Sequence, residues 1–129
     1  YPTGMPIETV NLAQKFSRFS DHWKPKIAGE INDTYVKLVK YQGEFLWHHH
    51  EHEDELFWVV KGTMRMKLRD PQEREVLVHP GEFIIVPHMT EHCPVAEGGE
   101  CHVVLLEPKS TLNTGNVQSE RTVPVLDRV

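Results

Sequence analysis

The chain has 129 residues, of which 39% are hydrophobic and 26% are charged, and this balance fits a single soluble globular domain. The formal net charge is −5 without a Lys/Arg stripe, and there is no run of about 18 apolar residues. These features argue against nucleic acid and against a membrane span. Two cysteines, Cys93 and Cys101, are too few for a disulfide framework, so we expect free thiols and a cytoplasmic location.

The predicted domain covers residues 5–112. Residues 1–4 precede Met5 and are interpreted as a remnant ahead of the native start, with no signal-peptide pattern at this end. After residue 112 the chain becomes polar. Residues 113–129 are predicted to form a tail that is ordered only where it packs on another subunit or strand.

One short helix is predicted near the N-terminus, over residues 11–19. Leu12, Phe16 and Phe19 recur at spacings of four and three, which is the period of one helix face. Asn11 can cap the first turn of this helix. Pro25 ends any helix in the region, and no helical period follows it.

The rest of the domain alternates short apolar runs with turn residues, as strands do. The predicted strands cover residues 35–41, 44–50, 55–60, 63–68, 75–78, 83–86 and 102–106. Gly98 and Gly99 are interpreted as a turn before the last of them. Many short strands without helices between them indicate an all-β sandwich or barrel and exclude a doubly wound α/β fold.

A cluster of imidazoles and carboxylates occupies residues 47–55. On a strand, residues two apart share a face, so His48 and His50 point one way while Trp47 and His49 point the other. If strand 55–60 pairs antiparallel with strand 44–50, Glu55 lies beside the two imidazoles. Two nitrogens and one oxygen then form an open metal site.

A fourth ligand should come from farther along the chain. His92 is the best candidate, because it follows strand 83–86 and begins a new extended stretch. The competing candidates are His79, His88 and His102. His49 and His52 are interpreted as surface groups, with His52 an alternative to His50. A solvated, histidine-rich loop that binds metals adventitiously is the competing interpretation of the whole cluster.

These residues resemble the two sequence motifs of the cupin family. The first motif is matched by Gly43, His48, His50, Glu55 and Gly62, with four residues instead of five between the first two. The second motif is matched by Gly81, Pro87 and His92, with Met89 and Ala96 standing where the family has glycine and asparagine. The resemblance covers about residues 35–108.

The resemblance implies a cupin fold, which is a double-stranded β-helix or jelly-roll barrel. It also implies that His48, His50, Glu55 and His92 hold one divalent transition metal ion, which could be Mn, Fe, Ni, Co or Zn. The chain is similar to small single-domain bacterial cupins described as mannose-6-phosphate isomerase-like, especially over residues 106–108 and 112–115. We also expect a homodimer, in which Trp47, Trp58 and the N-terminal strand or helix cover exposed sheet surface, and family resemblance favours this pairing.

The wall of the site is predicted to be apolar. Phe57 shares the face of Glu55, and Met64, Met66 and Leu68 form an inward row that alternates with Arg65 and Lys67. Phe57 and Met66 are therefore the predicted substrate contacts, with ordinary barrel core as the competing interpretation. We find no cationic side chain that must reach this pocket, so a phosphosugar substrate is unsupported.

The predicted function is a metal-dependent enzyme that acts on a small molecule. An ion held by three imidazoles and one carboxylate keeps open positions, which suits a sugar isomerase-like reaction or, with iron, a dioxygenase-like one. The alternative is a non-catalytic module that binds a small ligand or a metal.

Overall fold

The computed structural model describes residues 7–129, so the remnant predicted at residues 1–4 lies outside the described residues. The chain contains helix α1 (Leu12–Phe16) and strands β1 (Lys26–Ile31), β2 (Thr34–Tyr41), β3 (Glu55–Arg69), β4 (Glu73–Val78), β5 (Phe83–Val86) and β6 (Glu91–Pro108). All pairings between these strands are antiparallel. The predicted all-β class with a short N-terminal helix is confirmed.

Strands β3 and β6 are the centre of the sheet. The strand order is β1-β2-β6-β3-β4, and β5 pairs with β3 beside this path. The pairing of β3 with β6 runs from Leu56 opposite Leu106 to Arg69 opposite Glu91, with irregularities around Lys61. Almost every other strand is hydrogen-bonded to one of these two, so they position what the remaining elements carry.

Two long strands replace several of the short strands and turns that we predicted. Residues 55–60 and 63–68 belong to the single strand β3, which kinks at Gly62 instead of ending there. Gly62 has φ 79°, and a Cβ at this position would lie 2.6 Å from the carbonyl oxygen of Glu100. The turn predicted at residues 98–99 is wrong, because β6 runs through both glycines.

The strand predicted at residues 44–50 is also wrong. This segment makes only two isolated bridges to β6, joining Glu44 to Val95 and His48 to His92. Pro94 lies between these bridges on β6 and has no N–H to donate, so a regular ladder cannot form there. The segment is nevertheless held beside β6, since the N–H of Phe45 donates to the carbonyl oxygen of Pro94 at 3.0 Å.

Helix α1 ends at Phe16, so it is shorter than the helix predicted over residues 11–19. Asn11 is its N-cap, as predicted, and its side-chain oxygen accepts a hydrogen bond from the N–H of Gln14 at 2.9 Å. The ring of Phe16 is buried against Leu38 and Val104, on the face of the sheet opposite the main core. The helix therefore covers that outer face of β2 and β6.

The inward row of β3 packs as its alternation predicts. Met64, Met66 and Leu68 are buried in the main hydrophobic cluster. Arg65 and Lys67 point outward into ion pairs with surface carboxylates. Period-two reasoning therefore identifies the core face of this strand.

Residues 113–129 pack back onto the same chain. The N–H of Ile27, in the unpredicted strand β1, donates to the carbonyl oxygen of Asp127 at 2.9 Å. The guanidinium of Arg121 donates to the carbonyl oxygen of Phe45 at 2.9 Å. The tail thus packs on strand β1 of its own chain. It also supports the segment that carries His48 and His50.

Both cysteines are buried and free, as expected. Cys93 and Cys101 lie on the same strand, β6, so the predicted turn at Gly98 and Gly99 does not form a hairpin between them. Within residues 7–129, no helix is long and apolar enough to cross a membrane.

Candidate metal centre

The structure brings together the four side chains that the sequence nominated as metal ligands. His48, His50, Glu55 and His92 are all buried, and one potential ligand atom from each lies within 4.8 Å of the others. The rings of His48 and His92 are the nearest pair, with centroids 4.3 Å apart. Three nitrogens and one oxygen therefore face a common point.

Strand β6 is the element that assembles this cluster. The N–H of His48 donates to the carbonyl oxygen of His92 at 3.0 Å, and the N–H of His92 donates back to His48 at 2.9 Å. Glu55 is the first residue of β3, and it pairs with Val86 of β5. The predicted direct pairing of residues 55–60 with residues 44–50 is wrong, since residues 55–58 pair with β5 and residues 56–61 with the far end of β6.

The two departures from the second cupin motif keep the local backbone geometry. Met89 stands where the family has glycine, and it adopts the left-handed conformation with φ 67°. Its N–H donates to the carbonyl oxygen of His50 at 2.7 Å, which ties the two motifs together. Ala96 replaces the asparagine, and its N–H donates to the carbonyl oxygen of Gly43 at 2.9 Å.

The hydrogen bonds of two imidazoles fix which ring nitrogen faces the cluster. Nδ1 of His48 lies 3.0 Å from the carbonyl oxygen of Leu46, and Nδ1 of His92 lies 2.8 Å from that of Thr90. A carbonyl oxygen only accepts, so each Nδ1 carries the hydrogen and donates. Each Nε2 is left with a free lone pair, which is the tautomer that a metal ligand needs.

Three buried polar atoms at the centre lack a hydrogen-bond partner. Oε1 of Glu55 lies 2.9 Å from Nε2 of His50 and 3.0 Å from Nε2 of His92. These contacts are short, but none of the three atoms has hydrogen-bond geometry with a partner. Buried polar atoms are normally satisfied, and a divalent ion bound by nitrogen and oxygen would satisfy all three at once. The donor set therefore fits a metal ion.

The pKa shifts of His48 and Glu55 favour the protonation states that ligation requires. Burial, followed by the like charge of His92, lowers the pKa of His48 to about 3, so this ring is neutral at pH 7. Burial acts to raise the pKa of Glu55, but Glu107 and the neighbouring imidazoles outweigh it and hold that pKa well below its usual range. A neutral imidazole and an ionised carboxylate are the forms that bind metal.

The other histidines lie away from the cluster. His49 is half-buried and faces Glu91, with Nδ1 3.0 Å from a carboxylate oxygen, and His52 is exposed. The three alternatives for the fourth ligand also lie elsewhere, since His79 is exposed, His88 contacts Asp54 and His102 contacts Glu100. His48 and His50 point into the cluster and His49 points away from it, as predicted, although the segment is not a regular strand.

The two predicted substrate contacts lie in the core. The ring of Phe57 meets the His92 ring edge-on, with centroids 6.0 Å apart. Met66 is completely buried in the main hydrophobic cluster. Contact of either residue with a substrate stays a prediction.

Two charged residues behind Glu55 were missed from the sequence. Nζ of Lys37 lies 2.8 Å from Oε1 of Glu107, and the carboxyl of Glu107 lies beside that of Glu55. Burial and the charge of Glu55 raise the pKa of Glu107 well above its usual range. The signal was available, because Lys37 shares a strand face with Val39, and Glu107 shares one with Leu105.

The C-terminal tail contacts the backbone between the two cluster histidines. The N–H of His49 donates to the side-chain oxygen of Asn116 at 2.9 Å, and the N–H of Asn116 donates to the carbonyl oxygen of His49 at 3.1 Å. Gly115 lies so close that a Cβ would collide with this carbonyl oxygen. The tail therefore fixes the backbone from which His48 and His50 project.

A cavity of about 300 Å³ opens beside His50. It lies between the loop that follows this histidine and the start of the tail. Its lining residues are His50, Glu51, Glu53, Ser110, Leu112, Gly115 and Asn116. The cavity gives a small molecule a route to one member of the cluster.

Comparison with known proteins identifies the family. A family model described as "Cupin domain" matches residues 35–107, which is more than half of the chain, and the chain belongs to the cupin family. The crystal structure of a cupin-2 domain containing protein from Shewanella frigidimarina NCIMB 400 is 40% identical with a TM-score of 0.73, covering 78% of this chain and 94% of that one. The predicted jelly-roll barrel is confirmed.

Two further comparisons are more limited. Uncharacterized protein YdbB of Bacillus subtilis (strain 168) is 33% identical over 63 residues, which are 49% of this chain and 54% of YdbB. The chain thus spans about half the length of the curated relative it matches. Hydroquinone 1,2-dioxygenase from Sphingomonas sp. TTNP3, with 4-hydroxybenzoate bound, has a TM-score of 0.71 at 17% identity, covering 81% of this chain and 33% of that one. At this identity the likeness shows the fold alone.

Gly115→Ala should disturb the candidate metal centre, and Gly98→Ala is its matched control. Both glycines have positive φ, so each alanine costs roughly 1–2 kcal/mol of backbone strain. Only the alanine at residue 115 also displaces the backbone of His49. We expect Gly115→Ala to lose more stability and to take up less metal, measured by thermal unfolding and elemental analysis. Equal metal content in the two variants would contradict the role of the tail contact.

Proposed function

We propose that this cupin is a metal-dependent enzyme that acts on a small molecule. One divalent transition metal ion, drawn from Mn, Fe, Ni, Co and Zn, would be held by His48, His50, Glu55 and His92. The observation that carries this proposal is the set of buried, converging donor atoms without hydrogen-bond partners. A carboxylate and three imidazoles in the core would be costly without an ion to satisfy them.

The reaction class follows from the donor set. Four protein ligands leave positions open on a six-coordinate ion, which supplies Lewis-acid polarisation of a carbonyl or, if it is iron, activation of O₂. We therefore propose a sugar isomerase-like or a dioxygenase-like reaction. The likeness to hydroquinone 1,2-dioxygenase is one of fold, so it does not choose between them.

The cavity beside His50 indicates the kind of substrate. Its volume of about 300 Å³ is at the lower end for a small-molecule site. Two carboxylates, Glu51 and Glu53, line the cavity together with His50 and neutral residues. Ser110 donates a hydrogen bond to Glu53 at 2.8 Å. Carboxylates and neutral polar groups suit the hydroxyls of an uncharged molecule and repel a phosphate. We therefore propose a neutral, hydroxyl-bearing substrate in place of a phosphosugar.

We also propose that the protein is a cytoplasmic homodimer. Trp58 and Phe83 lie opposite each other on β3 and β5, and both are exposed together with the nearby Ile85. Trp47 has a partner within its own chain, since the guanidinium of Arg69 lies 3.9 Å above its ring. The face of Trp58, Phe83 and Ile85 is thus the apolar surface that a second copy would cover.

His92→Ala should lower metal content and thermal stability together, because an ion that binds only the folded state stabilises it. At a metal concentration 100 times the Kd, this linkage is about 2.7 kcal/mol, and most of it should be lost. The matched control is His52→Ala, because His52 is an exposed histidine of the same cluster. Full occupancy of His92→Ala by elemental analysis would remove this residue from the ligand set.

Turnover should appear only with metal. Protein loaded separately with each of the five ions would be assayed against neutral sugars and hydroquinones. We expect activity that a chelator abolishes and that His50→Ala loses while His52→Ala keeps it. A ligand that raises Tm without any turnover would instead favour the non-catalytic binding module.

The dimer proposal predicts twice the chain mass at micromolar concentration. Phe83→Lys should shift the protein to monomer, because it places a charge in the apolar face. Val125→Lys, at an exposed apolar residue of the tail, is the control and should leave the mass unchanged. Light scattering that gives a monomeric mass for the parent protein would refute the homodimer.

A further inference from the structure

A row of three buried ionisable side chains runs from the metal centre through the core. Glu55, Glu107 and Lys37 are 4%, 2% and 1% exposed, on β3, β6 and β2 respectively. The ammonium of Lys37 donates to Oε1 of Glu107 at 2.8 Å and lies 3.4 Å from the carbonyl oxygen of Thr111. The carboxyl of Glu107 lies beside that of Glu55 in turn, so the three groups form a continuous row.

Stability alone does not account for the buried pair of Lys37 and Glu107. Transfer of an ammonium and a carboxylate from water into a core costs several kcal/mol per ion, and their attraction often does no more than offset this cost. Apolar residues of similar size commonly serve equally well at such places. The strand neighbours on the same faces, Val39 and Leu105, show that this core accepts apolar side chains.

The geometry points to a function for the pair at Glu55. A glutamate has three rotatable bonds, and Glu55 must keep one oxygen directed at His50 and His92 to act with them. Oε1 of Glu107 is taken by Lys37, and its buried Oε2 has no hydrogen-bond partner, with the carboxyl of Glu55 as its neighbour. Glu107 is thus held on one side and turned toward Glu55 on the other.

We propose that Glu107 and Lys37 are positioning residues of the metal centre: Glu107 fixes the orientation of the Glu55 carboxyl, and Lys37 fixes Glu107. This inference rests on the proposed metal-binding function. Partners of this kind orient a ligand and tune metal affinity, and their loss typically weakens binding 10–100-fold. Neither residue touches the metal or the substrate.

Co²⁺ alone is the probe, because its visible absorption spectrum reports the coordination geometry. Glu107→Leu and Lys37→Met should each raise the Kd for Co²⁺ by about 10–100-fold and alter that spectrum. Glu107→Gln keeps a side-chain donor for Glu55 and should restore most of the affinity. Lys40→Met is the matched control, because Lys40 is a buried lysine on the same strand that bonds Phe19 and not Glu107.

A double variant keeps the test decisive if a single variant unfolds. Lys37→Met combined with Glu107→Leu removes both ionisable groups of the pair together, so the metal-free protein should fold with a Tm closer to that of the parent than either single variant. We expect it still to bind Co²⁺ weakly and with an altered spectrum. The parent affinity and spectrum in this double variant would overturn the positioning role. Failure of the parent itself to bind Co²⁺ would overturn the proposed function, and the positioning role with it.

Discussion

The burial of the Glu55 carboxylate is the constraint on which the site depends. A charge with 4% exposure must be compensated from within the protein, and its neighbours do this from three directions. Two imidazoles face one of its oxygens, and the carboxyl of Glu107 approaches from the core. Burial acts to lower the pKa of His92, but the Glu55 carboxylate outweighs it and raises that pKa. Without these groups, or an ion in their midst, a carboxylate could not stay ionised in this core.

Strand β6 makes this compensation possible. It carries His92 near one end and Glu107 near the other, and it separates the segment of His48 from the strand of Glu55. A single continuous element therefore sets the distances among groups that are far apart in sequence. The prediction of an extended stretch from residue 92, a turn at residues 98–99 and a strand over residues 102–106 missed that connection, because two glycines in a strand look like a turn from sequence alone.

Alternation with a period of two explains what the sequence could predict. It separates His48 and His50 from His49, and it places Met64 and Met66 inward, because the inward faces are set by burial. The same rule, applied to charged residues, would have placed Lys37 and Glu107 in the core. The pairing partners of residues 44–50 were harder to predict. Pro94 has no N–H, and it interrupts a strand pairing that the hydrophobic pattern alone would continue. The contact of Asn116 with His49 spans 67 residues, and no local pattern indicates it.

These long sequence separations have a consequence for when the candidate site is complete. The contacts that shape it join residues 67 and 70 positions apart, and such non-local contacts form slowly. Three of the four donor residues lie within residues 48–55, but His92 meets them only where β6 packs beside that segment. An ion that binds all four donors would therefore be held by the folded barrel and not by either segment alone.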